Sequence, residues 1–252
     1  MSITISRVGV AMVGLSAFMQ GCDAECTLAK QIDQATSMLC SNGGLCDLVD
    51  QILNSDQLAA EQKVSLFGKV LAKTKQLNPQ ESERTKIPDT AIPVIDKIGE
   101  ALAILSEKKE VAKGDAQVKA LFIDLAKTID NIYWRVDNDN GAALARGRNT
   151  AMNLAGYANR ARVEDPSQQQ IVDVARVLTC RLTNPYVANT AQASSVNDFK
   201  ALAERMSKAG DFAEALKINA LISTTGRLIP AATTKYCNEH QTTTSMYMFE
   251  VK

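Results

Sequence analysis

The stretch DAQVKALFIDLAKTIDNIYWRV, Asp115 to Val136, decides the fold class. Its apolar residues Val118, Leu121, Phe122, Leu125, Ile129, Ile132, Tyr133 and Val136 recur at intervals of three and four. That period gathers side chains onto one face of an α-helix, which must then face a core. Asp115 stands where a capping carboxylate accepts the orphan amides of the first turn.

Working outward, the same period returns on both sides. From Ala91 it runs through Ile95, Ile98, Leu102 and Leu105, and shorter stripes are Leu45, Leu48, Val49, Ile52, Leu53 and Leu58, Val64, Phe67, Val70, Leu71. Downstream, Asp165-Pro166-Ser167-Gln168 offers a capping Asp, a proline at the first helical position and a Gln three residues on, and Ser195-Val196-Asn197-Asp198 is a similar box. The expectation is an all-α protein, a multi-helix bundle or an irregular helical-repeat array, with about eight or nine helices between Glu25 and Arg227.

Breaks divide the chain. NPQESERTKIPDT, Asn78 to Thr90, is polar with a proline near each end, and TNPYVANTAQASS, Thr183 to Ser195, is a second interruption. They imply N-terminal helices with a cysteine-containing turn over 22–77, a loop or linker over 78–90, a main helical domain over 91–228 and a tail over 229–252. In the tail, TTTSMYMFEV is rich in β-branched and aromatic residues, with Tyr247, Phe249 and Val251 alternating onto one face. The expectation there is a short extended or β segment, packed locally or added to a partner's sheet.

Lysine plus arginine and aspartate plus glutamate number 28 each, and hydrophobic residues make up 46%. This is an ordinary globular composition with no long-range field to attract nucleic acid. Six cysteines, at 22, 26, 40, 46, 180 and 237, fit an oxidising compartment. There is no Cys-x-x-Cys, and the single histidine, His240, has no second ligand pair nearby, so neither a metal nor another cofactor is expected. SNGG between Cys40 and Cys46 suggests that these two close a turn, and Cys180 with Cys237 would tie the tail to the body. Connectivity does not follow from spacing alone.

MSITISR, with Arg7 its side-chain charge, precedes the uninterrupted apolar run VGVAMVGLSAFM from Val8 to Met19. These are the two leading regions of an export signal, and 12 residues is too short for a membrane span. Phe18-Met19-Gln20-Gly21-Cys22 resembles the lipobox of bacterial lipoproteins, although Met19 and Gln20 depart from the favoured Leu and Ala or Ser. The resemblance makes residues 1–21 a signal peptide and implies diacylglycerol attachment at Cys22. It places the protein in the cell envelope, on the periplasmic side. Asp23 stands where some bacteria read retention in the inner membrane. If Cys22 is lipidated, one of the remaining five thiols is unpaired. The alternative cut, after Ala24, leaves a soluble secreted protein.

The most specific internal pattern is DFKALAERMSKAGDFAEALKINALI, Asp198 to Ile222. With Ala215 at the central small position, Phe199, Leu202, Ala203, Met206, Gly210 and Phe212 fall where it resembles one tetratricopeptide repeat, a hairpin spanning 196–227. Asn219 and Ile222 depart from that pattern. The resemblance implies a surface that binds peptides or partner subunits. The candidate partner-binding residues are Phe199, Met206, Phe212 and Asn219, with Tyr247 and Phe249 in the tail.

Competing chemistry is thin. Asp137-Asn138-Asp139-Asn140-Gly141 lacks the later ligands of a calcium loop and reads as a polar turn. Arg146, Arg148, Arg160 and Arg162 read as a solvated helix edge. A serine triad would depend on His240, and no Gly-x-Ser-x-Gly elbow, phosphate loop or dinucleotide fingerprint is present. The expected role is a non-enzymatic scaffold or interaction subunit of an envelope assembly, such as a secretion apparatus, held to the membrane by a lipid. A secreted binding protein and an envelope hydrolase are the alternatives.

Overall fold

Each hydrophobic stripe becomes a helix with its apolar face buried. The computed structural model describes residues 24–41, 43–77, 89–132, 140–164, 167–183 and 194–240. Helix α1 covers residues 24–34. It is followed by α2 (Leu45–Leu53), α3 (Ala60–Gln76), a single 3-10 turn (Asp89–Ala91), α4 (Ile92–Glu107), α5 (Ala116–Asp130), α6 (Asn140–Arg160) and α7 (Ser167–Arg181). The last three helices are α8 (Val196–Lys208), α9 (Phe212–Asn219) and α10 (Pro230–His240). The all-α class therefore holds, and no strand occurs among the described residues.

Local chemistry sets the boundaries. Asp115 accepts from the amides of Gln117 (2.9 Å) and Val118 (3.0 Å), which starts α5 where the capping argument placed it. At α8, Asp198 Oδ2 accepts from the Ser195 amide (2.6 Å) and Ser195 Oγ from the Asp198 amide (3.4 Å), a reciprocal box. Gln62 Oε1 accepts from the Ala59 amide (2.8 Å) at the head of α3.

Two expectations need correction. Helix α5 stops at Asp130 instead of running through the whole stripe: Asn131 takes φ −88° and ψ 1° and ends the helix, although Ile132 beyond it is fully buried. The supposed tail begins with a helix, α10. Its buried residues are only Thr233, Tyr236 and Cys237, one narrow seam too polar to register as a stripe.

Packing follows chain order. From α2 to α7 each helix packs on the next and the next but one, and α8 on α6, α7 and α9. This gives a stack of four hairpins, α2–α3, α4–α5, α6–α7 and α8–α9, around one contiguous core. Gly99 lets α4 and α6 approach closely, since a β-carbon there would collide with the Leu154 side chain and press on Tyr157. Arg160 pairs with Glu107 through two 2.7 Å bonds across the same interface.

The turns within the hairpins share one edge. Gln62 donates to Glu25 (2.7 Å), joining the starts of α1 and α3, while Lys63 donates to the Leu53 carbonyl (3.0 Å) and pairs with Glu110 (3.7 Å). At the other end of the stack, Gln169 donates to Asp211 (2.6 Å), tying the start of α7 to the α8–α9 turn.

Cys40 is bonded to Cys46, closing the turn before α2, and Cys180 to Cys237, fastening α10 to α7. Cys26 is exposed and the free cysteine among the described residues, so it has not joined the disulfide pairs. The leader with Cys22, most of the 78–90 loop, the acidic part of the 137–141 motif and the 242–251 segment with Tyr247 and Phe249 lie outside the described residues. Among those described, no helix is long and apolar enough to cross a membrane.

Candidate interaction surface

The last hairpin is built from a few local devices. Asp198 caps α8 and also meets Arg148 Nη1 of α6 at 3.0 Å, which seats the helix on its neighbour. Arg148 thus braces α6 against α8 and is not part of a solvated edge, its side chain being mostly buried. Gly210 takes φ +82°, a conformation glycine adopts without strain, and turns the chain back. Asp211 then accepts from the Glu214 amide (3.0 Å) and opens α9.

These devices decide which side chains face outward. Phe199, Leu202, Ala203 and Met206 form the inner face of α8. Phe199 and Met206 are fully buried, which removes both from the set of candidate partner contacts: their place in the hairpin pattern reflects packing. Phe212 and Leu216, one helical turn apart on α9, are 65% and 70% exposed. Asn219 continues that row and is exposed as well.

Between α8 and α9 lies a groove of about 530 Å³. Small residues, Ala203, Ser207 and Ala215, form its floor. Phe212, Leu216 and Asn219 make one wall, and Lys200, Glu204 and Lys208 the other. Lys208 is held by Glu204 at 2.6 Å, whereas Lys200 has no ion-pair partner among the described residues. Among the described residues no further helix of the stack covers this face: α10 packs on α7 and meets the inner side of α9. Terminal repeats of helical arrays ordinarily present a polar outer face; here that face carries an exposed Phe and Leu.

No family model, curated protein or solved structure matches the chain. The surface must be read from its own chemistry.

The inner side of α9 holds a cluster of titratable groups centred on Glu214. Glu214 Oε1 accepts from the Tyr236 hydroxyl (2.6 Å) and Arg176 Nη1 (3.1 Å), and Oε2 accepts from Lys217 Nζ (3.0 Å). His240 Nε2 lies 3.2 Å from Oε1, and Nδ1 lies 2.7 Å from the Tyr236 carbonyl oxygen. Burial pushes the Glu214 carboxyl up, but its bonds from Tyr236, Lys217 and Arg176 prevail and bring it down to about 2. Burial, with the bond to Glu214, pushes the Tyr236 hydroxyl up. Asp173, which pairs with Arg176 at 3.1 Å, is raised by burial.

A carboxylate so strongly held in its charged form is a poor proton shuttle at neutral pH. The cluster fits a cross-link between α7, α9 and α10 better than an acid–base site. His240, on which a triad would have depended, is engaged in that cross-link. Among the described residues no group of three or more His, Cys, Asp or Glu could hold a metal ion.

Proposed function

We propose that the protein is an exported, lipid-anchored helical subunit that works without catalysis, docking a partner in a cell-envelope assembly such as a secretion apparatus. The observation that carries this reading is the α8–α9 groove, which no other described helix covers, with Phe212 and Leu216 exposed above a floor of alanine and serine. Small floor residues permit close approach of a helix, and an exposed aromatic beside an aliphatic side chain offers anchors of the kind a partner's pocket accepts. Anchoring rests on the lipobox-like residues ending in Cys22. The two disulfides are compatible with an exported chain.

The test is purification from the native membrane, comparing wild type with a Phe212→Asp/Leu216→Asp variant. The expected result is a defined complex with the wild type, its loss with the variant, and unchanged helical content. Equal recovery of the same partners by both proteins overturns the groove assignment. Mass spectrometry of the mature amino terminus tests the anchor separately: an unlipidated start at Glu25 would instead identify a secreted binding protein.

A further inference from the structure

We propose that the edge of the stack bearing the start of α1, the α2–α3 turn and the α4–α5 turn lies flat against the anionic headgroups of the bilayer that holds Cys22, with Lys108, Lys109 and Lys113 touching them. The inference rests on the lipid-anchor reading above and adds an orientation to it. Cys22 precedes the first described residue of α1 by two positions. Two residues of chain span at most about 7 Å. A lipid on the Cys22 thiol therefore brings the first turn of α1 to the headgroup layer.

Helix α1 is not a free tether. Ala24, Leu28 and Ala29 pack against the core, Ile32 is buried within it, and Lys73 donates to the Asp33 carbonyl at 2.7 Å. Because those contacts make α1 part of the body, the two-residue link to Cys22 keeps this edge, not a detached helix, next to the lipid. The edge is further defined by the Glu25–Gln62 bond (2.7 Å) and by Lys63, which bridges the Leu53 carbonyl (3.0 Å) and Glu110 (3.7 Å). Residues 54–59 and 108–115 accordingly share the edge where the anchor enters.

The charges of the second turn suit this apposition. Lys108, Lys109 and Lys113 are exposed, and none forms an ion pair among the described residues. Of the nearby acids, Glu110 is balanced by Lys63, whereas Asp115, which caps α5, keeps its charge beside the lysines. Glu25 at the start of α1, whose partner Gln62 is neutral, and the exposed Asp56 and Glu61 on the neighbouring turn and helix start cancel any net positive field of the edge as a whole, leaving the lysine tips as the local positive points. The attraction is therefore a short-range contact within a Debye length of the headgroups. Helix α5, at 15 residues, then rises about 22 Å away from this edge, so Asn131 at its far end stands clear of the bilayer.

The experiment uses the full lipidated chain in vesicles of phosphatidylethanolamine and phosphatidylglycerol containing a headgroup-labelled quencher lipid. A fluorophore is placed on Cys26 itself or, in a Cys26→Ser background, on Ala112→Cys or Asn131→Cys. The expected result is strong quenching at Cys26 and Ala112→Cys and none above background at Asn131→Cys. Reversing Lys108, Lys109 and Lys113 to Glu should lower quenching at Ala112→Cys and leave it unchanged at Cys26. Equal quenching at Ala112→Cys and Asn131→Cys overturns the orientation, and an unchanged signal after charge reversal overturns the lysine contact. Failure of the anchor itself is distinguishable: the intact mass lacks the lipid, the protein does not float with vesicles, and no reporter is quenched.

Discussion

At Glu214 one side chain joins three helices, and its protonation state is part of the fold. Its carboxyl sits at about 2 in the folded chain, below its ordinary value of 4.5. The folded state therefore favours the ionised form, so the stabilisation is fully present above about pH 4.5 and is lost as pH falls through about 2. A shift of this size corresponds to roughly 3 kcal/mol. Glu214→Gln should remove about that much at pH 7, and the loss should shrink toward zero near pH 2. Urea unfolding of both proteins at several pH values measures it.

Exposure makes a second residue-scale contrast. Phe199 is fully buried and Phe212 is 65% exposed, although both fall on characteristic positions of one hairpin pattern. Phe199→Ala should cost about 3–5 kcal/mol as an unfilled cavity. Phe212→Ala should cost less than about 0.5 kcal/mol. Paired denaturation curves decide between core and docking roles for the two rings. A cost at Phe212 near that at Phe199 would mean that the groove is closed in solution.

At the scale of elements, α10 combines a narrow, polar seam with a covalent fastening. Three buried side chains hold it, with the Cys180–Cys237 bond and the Tyr236–Glu214 hydrogen bond. A disulfide spanning 57 residues stabilises by about 4 kcal/mol in the loop-closure account. Cys180→Ser/Cys237→Ser should raise amide exchange over residues 230–240 far more than over α4 to α6. Uniform loosening of all the helices would show instead that the bond supports the whole stack.

The same helix marks the limit of what pattern reading reaches. The stripes of α2 to α5 were legible because two or three large apolar residues recur in every pair of turns, and Asp115 and Ser195 announced their helices through capping chemistry. Helix α10 offers Thr233, Tyr236 and Cys237, which no hydropathy period separates from a polar tail. In the candidate site, the hairpin and its glycine turn were readable from residues 198–222. Which of its side chains faced inward was not: Phe199 and Phe212 have the same chemistry, and only the positions of α6 and α7 against α8 decide between them. The Glu214 cluster likewise depends on α7 and α10 meeting across α9, contacts separated by 38 and 22 residues.

At the scale of the molecule, a stack of hairpins differs from a globular bundle in how far a perturbation travels. From α2 to α7 each helix packs on the next and the next but one, so stability is close to a sum of local terms and neighbour interfaces. Phe67, fully buried in α3, and Phe199, fully buried in α8, sit in hairpins at opposite ends of one core. Either Phe→Ala change removes about 3–5 kcal/mol locally. In a stack, Phe67→Ala should lower amide protection over α2 to α5 and leave α8 to α10 near their wild-type values, with Phe199→Ala doing the reverse. Hydrogen exchange by mass spectrometry reads both profiles at once. If either change lowers protection evenly from α2 to α10, the four hairpins unfold as a single cooperative unit. The exposed face of α8–α9 would then be an indentation in a rigid body, not the open end of an array able to accept a further helix.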